Sequence, residues 1–570
     1  MKPALFTFSL AFALSAFAAT PRVEFAASAD RVGCYDFVEV TLHVAQPTGG
    51  NPFTDVTVAG TFGLSGETPI AVDGFCDSAD GRVFRIRFMP AKPGAYDYTV
   101  TYREGGFAQQ HRGQFQAVDQ RNRGLVRLDP EYPSHFQWEG TQERFFWNGT
   151  TAYFLAGWDD ATIRDAIERL DLHKITRIRA ALAGRVADGR TWFEPVEPSD
   201  KFTFRLEPWV AANSASLEQP GFDVSRFNVG YWQKWEKLLA ETRARDMAVS
   251  VVFYVDGSRP GVDPFGKSGM GGVDEQRYYR YAIARFGAYA NVMWDLANEY
   301  RLFRDDAWAE RMGAFVKQAD PYDHLTSTHG HDDFRFRKSP WADFALHQSW
   351  DEHGGYDFML KNRREQEQTG RVIPQINEEY GYEDHYPQGW GESRTAPARS
   401  AETRARLAWE ICLAGGYQTT GERANSEHGG GWLNGRGDDS MTMLERYGHL
   451  YDFFTGIRWW ELEPAVELVS GVVPHPKAPA HAAPRVFAAR NPNGDLAAIY
   501  VRDGGIVTIK SDLLKDQLKP LWFSPRDGGM RNARMLRAGG YRTPTAEDWV
   551  LLFRTPCNCS FRDFGNEFEP

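Results

Sequence analysis

Between about residues 150 and 465 of this 570-residue chain, short apolar runs alternate with amphipathic stretches of helical period, and no other feature narrows the possible folds as much. Parallel strands need long crossovers, and helices are the usual ones, so this alternation predicts a parallel α/β architecture. Eight strand candidates can be read, at 153–158, 175–182, 247–255, 291–297, 324–328, 343–347, 372–377 and 414–420. Helical stripes lie between most of them: Ile163, Ile167 and Leu170; Trp232, Trp235 and Leu239; Trp308, Met312 and Phe315; Leu407 and Ile411; Leu444, Tyr447 and Tyr451. An open, doubly wound sheet shares this local pattern, but a count of eight points to closure as a (β/α)8 TIM barrel. The fifth and sixth candidates are too close for a full helix. The long Pro/Gly/Asp-rich interval before the third is expected to fold over the barrel mouth.

The flanks change character. Residues 20–118 show period-two runs such as Val38-Glu39-Val40-Thr41-Leu42-His43-Val44, broken by turn residues, which predicts an antiparallel β-sandwich. The barrel is assigned to residues 125–465. Strand-like runs return over 466–570, as in Leu496–Val501 and Trp549–Phe553, predicting a C-terminal β-sandwich-like domain. Residues 1–19 have the form of a signal peptide, with Lys2, an apolar run from Leu5 to Phe17, and Ala16-Phe17-Ala18 at the cleavage position. That predicts export to the periplasm or beyond. No later segment has the roughly 20 consecutive apolar residues of a spanning helix, so no membrane partner is expected.

A formal net charge of −11 argues against a nucleic-acid partner, because such binding depends on neutralising phosphates. Aromatic residues make up 14% of the chain, which suits surfaces that stack on sugar rings. Of the five cysteines, Cys34 and Cys76 could pair within the N-terminal domain; Cys557 and Cys559 are too close for an unstrained bridge; Cys412 lies in a helical stripe. No Cys/His spacing fits zinc, so neither metal nor cofactor is expected.

Barrel enzymes carry their reactive groups just past the C-terminal ends of the strands. The fourth candidate runs into Asn298-Glu299-Tyr300, and the seventh into Asn377-Glu378-Glu379-Tyr380-Gly381-Tyr382-Glu383. Two carboxyls facing one gap are what retaining glycoside cleavage requires, one protonating the leaving oxygen and one attacking the anomeric carbon. Either member of the Glu378–Glu379 pair could face inward. Other mouth positions are Trp158 and Asp159 after the first strand, Arg179 in the second, and Tyr254 and Asp256 in the third. Further along come His329 and His331 after the fifth strand, His347, Gln348 and Trp350 after the sixth, Tyr382 after the seventh, and Glu422 after the eighth. Arg185, Arg190 and Arg205 could read an acidic glycan or form a solvated face.

These strand ends resemble those of clan A glycoside hydrolases, in particular the apiosidase-like families. The resemblance spans roughly residues 135–465. It implies Glu299 as acid/base, Asn298 as the contact to the sugar 2-hydroxyl, and Glu379 as nucleophile, with a poly- or oligosaccharide as substrate. Residues 51–55, 87–90 and 93–96 resemble an uncharacterised sandwich module that often precedes such barrels. Trp522–Gly529 and Asp548-Trp549 resemble a collagen-binding-type β domain that often follows them, for which a structural cap on the barrel is the expected role. Two alternatives compete with a retaining glycosidase. One is a metal-dependent hydrolase, which lacks the ligand spacing; the other is a non-catalytic carbohydrate-binding or matrix-adhesion protein.

Overall fold

The computed structural model of the chain describes residues 22–185, 201–203, 205–330, 333–351, 354–382, 400–420, 442–479 and 483–555. The expected signal peptide, Arg190, His331, Glu383, Glu422, Cys557 and Cys559 lie outside these residues.

Eight parallel strands form the centre: β1 (Asn148–Thr151), β2 (Arg177–Arg185), β3 (Ala248–Tyr254), β4 (Val292–Asp295), β5 (Thr326–Ser327), β6 (Ala345–Gln348), β7 (Gln375–Glu379) and β8 (Tyr417–Thr420). They are hydrogen-bonded in the order β5-β4-β3-β2-β1-β8-β7-β6, and a parallel bridge from His329 to Leu346 joins β5 to β6. The sheet therefore closes into a (β/α)8 barrel. Every residue of β2 and β3 is buried, because one face meets the barrel interior and the other the helices.

The helices are α1 (Asp160–Leu172), α2 (Val229–Arg243), α3 (Val273–Phe286), α4 (Asp306–Ala319), α5 (Gly355–Glu367), α6 (Ala401–Leu413) and α7 (Thr442–Thr455); apolar stripes mark five of them, and α3 and α5 are not among those read from the sequence. Ile163, Ile167 and Leu170 on α1 are buried, as are Trp232, Trp235 and Leu239 on α2. Among the described residues no helix joins β5 to β6.

One expectation is corrected. The first strand is Asn148–Thr151, not 153–158; the apolar run that suggested the later position is a buried 3-10 turn at Leu155–Gly157. The described part of the interval before β3 includes a hairpin, Trp209–Ala211 with Phe222–Phe227. It packs on the outer helix layer, Trp209 against Tyr278 and Phe227 stacked on Tyr281 at 4.0 Å.

On the N-terminal side a four-stranded sheet (23–27, 38–44, 83–88, 75–76) faces a five-stranded one (31–33, 107–118, 94–104, 56–64, 70–73). Cys34 and Cys76 are both buried and free, so the pairing the sequence allowed is not formed; Cys412 is also free. On the C-terminal side a six-stranded sheet and a three-stranded sheet enclose Ile499, Trp522, Trp549 and Leu551. No helix among the described residues is long and apolar enough to cross a membrane.

Candidate active site

Side chains two apart on a strand share a face, so Arg177 and Arg179 of β2 both enter the barrel, one above the other. Both are fully buried. Arg177 lies over the Trp147 ring, donates to Ser250 on β3 at 2.9 Å, and pairs with Glu378 at 2.6 Å. Arg179 is one layer closer to the mouth and donates to Glu379 at 3.0 Å and to Asn298 Oδ1 at 2.5 Å. Its ring of contacts includes His329 Nδ1 at 2.8 Å and the face of Tyr153.

Strict alternation would turn Glu378 and Glu379 to opposite faces of β7. A β-bulge prevents this: His347 pairs with Asn377 but Gln348 pairs with Glu379, so two residues of β7 oppose one step of β6. Both carboxylates consequently face inward, at different depths. Glu378 is the deeper one and is saturated by Arg177, Arg179 and the Thr419 hydroxyl, the last at 2.6 Å. Burial opposes its charge, but Arg177 and then Arg179 hold its carboxyl below the ordinary value. Glu379 sits at the mouth and accepts from Tyr153 Oη at 2.9 Å as well as from Arg179.

Tyr153 also lies 2.9 Å from Asn298 Oδ1. The segment after β4 and the end of β7 are thus tied to the same phenol and the same guanidinium. Beyond Asn298, Glu299 takes a left-handed backbone, φ 45° and ψ 45°, which costs a non-glycine residue on the order of 1–3 kcal/mol. The turn is held from behind, where Arg304 pairs with both oxygens of Asp263 at 2.6 and 2.8 Å and with Glu275 at 3.0 Å. Burial, the charge of Glu379 and that of Asp256 push the Glu299 carboxyl up to about 8; a hydrogen bond from Gln348 and the Arg179 charge act the other way.

The remaining expected residues divide into two groups. Tyr382 faces Glu379, and its ring meets Trp350 edge-on at 5.3 Å, so both belong to the mouth. His329 belongs with Asn298 and Arg179, its Nδ1 being 2.7 Å from Asn298 Oδ1. Five residues do something else. Asp159 caps α1, its carboxylate accepting from Thr162 N at 2.8 Å. Trp158 is buried with its ring against Phe202, centroids 4.3 Å apart. His347 is on the outer face of β6, between Phe334 and Phe358, where burial lowers its pKa to about 3; its neighbour Gln348 takes the inward position. Tyr254 likewise points outward, donating to Glu275 on α3. Arg185 is committed to Glu207, Ser214 O and Ser216 O. Tyr153 was not among the expected site residues, because the misplaced first strand hid its position just past the end of β1. Among the described residues, no cluster of His, Cys, Asp or Glu could hold a metal ion.

Comparison with known families and structures agrees with this architecture. Residues 138–421 match the family described as "Apiosidase-like, catalytic domain", residues 31–103 match a domain of unknown function (DUF5060), and residues 476–554 match the "Putative collagen-binding domain of a collagenase". No curated protein matches the sequence. Among solved structures, a "putative glycoside hydrolase" from Bacteroides vulgatus is 21% identical, with a TM-score of 0.72 over 92% of this chain and 100% of its own. A glycoside hydrolase family 5 protein from the same organism is 15% identical, with a TM-score of 0.58 over 76% of this chain and 94% of its own. At these identities the likeness is one of fold.

Proposed function

The chain carries an apiosidase-like catalytic domain, and from that premise we propose that it is a retaining glycoside hydrolase with Glu299 as acid/base and Glu379 as nucleophile. The observation that carries this reading is the shared anchoring of the two strand ends: Tyr153 and Arg179 contact both Glu379 and the residue preceding Glu299. Double displacement needs carboxyls about 5–5.5 Å apart, and common anchors of this kind limit how far the two segments can separate.

The roles follow from the electrostatics. Glu299 keeps its proton at neutral pH and gives it to the glycosidic oxygen as the bond to the anomeric carbon breaks. Glu379, held by hydrogen bonds from Arg179 and Tyr153, attacks that carbon and forms a glycosyl ester. Glu299, now ionised, takes a proton from water, and the resulting hydroxide equivalent releases the sugar with its original anomeric configuration. Asn298 is placed to contact the 2-hydroxyl, while Trp350 and Tyr382 provide an aromatic wall. Glu378 has no chemical role, since its oxygens are occupied by two arginines and a threonine. The substrate is a poly- or oligosaccharide, met outside the cytoplasm after export through residues 1–19. A binding-only protein would have no use for an acid held protonated at such cost.

The test is a screen of full-length protein against plant, algal and bacterial glycans, followed by Glu299→Gln and Glu379→Gln on the best substrate. Each is expected to lower kcat by about 10²–10⁴-fold or more with the fold retained. Azide should rescue Glu379→Ala as a glycosyl azide of inverted configuration and Glu299→Ala as one of retained configuration. Unimpaired turnover in either Gln variant, or inverted product from the wild type, overturns the assignment.

A further inference from the structure

A third carboxyl belongs to this mouth. Asp256 follows β3 and, like Glu299, holds a left-handed backbone, φ 54°. Its segment is locked to that of Glu299 at two points. Asn298 N donates to Tyr254 O at 2.9 Å, and Gly257 lies so close to Phe303 that a Cβ there would meet the ring at 2.3 Å. Two strained turns, just past the third and fourth strands, are therefore held against each other. Asp256 is tethered to Arg259, Oδ2 to Nε at 3.3 Å, and sits within the electrostatic reach of both Glu299 and Glu379.

We propose that Asp256 is a positioning residue of the active centre, a fixed negative charge beside Glu299 that keeps the acid/base in its protonated form until substrate binds. This rests on the assignment of Glu299 as acid/base; Asp256 itself transfers no proton. The charged and titratable groups facing Glu299 are Glu379 from β7, Asp256 from β3, Arg179 from β2 and Tyr382 from the segment after β7, with Gln348 of β6 as a hydrogen-bonding neighbour. Burial raises the Asp256 carboxyl to about 6, with Arg259 opposing the rise. As pH increases, Asp256 ionises before Glu299, whose own value is about 8. Across that interval Asp256 is charged and Glu299 is not, which is the state the first chemical step needs.

Asp256→Asn suits the test, because Asn tolerates positive φ and removes only the charge; Asp256→Gly, free of any penalty at that φ, gives a second charge-free form. Two readouts apply to the full-length protein. One is labelling of protonated Glu299 by carbodiimide and an amine, quantified by peptide mass spectrometry against pH. The other is the pH dependence of kcat/KM on an aryl glycoside. Removing the charge makes Glu299 easier to ionise, so both the labelling midpoint and the basic limb should move down by roughly one pH unit, leaving about tenfold less activity on the alkaline side. Asp256→Glu should restore both. A labelling midpoint that stays put in both charge-free forms overturns the proposal, as does a loss of kcat/KM equal at every pH, which would make Asp256 a substrate contact. If the wild type cleaves no glycoside, the labelling still decides the role of Asp256, and only the glycosidase reading falls.

Discussion

Glu299 combines a strained backbone with a raised proton affinity, and both reduce stability. Its carboxyl is held near 8 when folded but has an ordinary value of 4.5. Between those values the folded chain holds a proton that the unfolded chain has released, so stability falls as pH rises from about 4.5 to about 8 and levels off above. Gln at this position carries no such penalty. Glu299→Gln should therefore unfold at nearly the wild-type temperature near pH 4.5 and at a progressively higher one toward pH 8, a difference worth a few kcal/mol. Thermal unfolding measured at several pH values checks this, and a constant offset would show that the proton affinity is not raised. Reading single residues from sequence named Glu299, Asn298 and Arg179, which the fold gathers into one cluster. It failed for His347 because one step along a strand exchanges the mouth for the helix layer, and only the inward turn of Gln348 shows which step applies.

At the scale of elements, the bulge in β7 decides the most. It turns the Glu378–Glu379 ambiguity into a division of labour, the deeper carboxylate neutralising two arginines and the outer one facing the mouth. A hydrophobicity pattern cannot reveal a bulge, since both glutamates look alike on paper. Helix α1 offers the opposite lesson. Asp159 is followed by Thr162 and the buried stripe Ile163, Ile167 and Leu170, a pattern that fits an N-cap as well as a mouth residue. Asp159→Ala should cost about 1 kcal/mol of stability and leave kcat and KM unchanged. A large rise in KM with stability intact would return Asp159 to the substrate. The first strand was misread for a related reason: Asn148-Gly149-Thr150-Thr151 has little of the apolar character by which strands are recognised, whereas the turn behind it has a great deal.

Across the whole molecule, the outer β domains are fastened to the barrel by buried ions and aromatic contacts. Arg285 on α3 pairs with Asp77 of the N-terminal sandwich at 2.5 Å and with Glu236 on α2 at 2.8 Å; Glu236 is in turn 2.6 Å from Arg87. On the other side, Arg502 of the C-terminal sheet meets Glu410 at 3.0 Å, and Trp409 packs against Tyr500 and Phe523. Breaking one partner of such a network leaves uncompensated buried charge, so Arg285→Ala should cost about 3–5 kcal/mol. An unchanged denaturant midpoint would show that the sandwich is merely adjacent. The chain's periodicities, alternation of strand and helix over the middle and period two at the flanks, determined the barrel and its β-rich neighbours, because burying an apolar face is a local demand written into every few residues. They also placed acidic side chains near strand ends. What needed the tertiary structure was depth and facing: which glutamate lies outermost, that Tyr153 and Arg179 join β4 to β7, and that Asp256 stands beside Glu299. Those depend on contacts between segments far apart in the chain, where charge and hydrogen-bond geometry, not hydrophobic period, decide the arrangement.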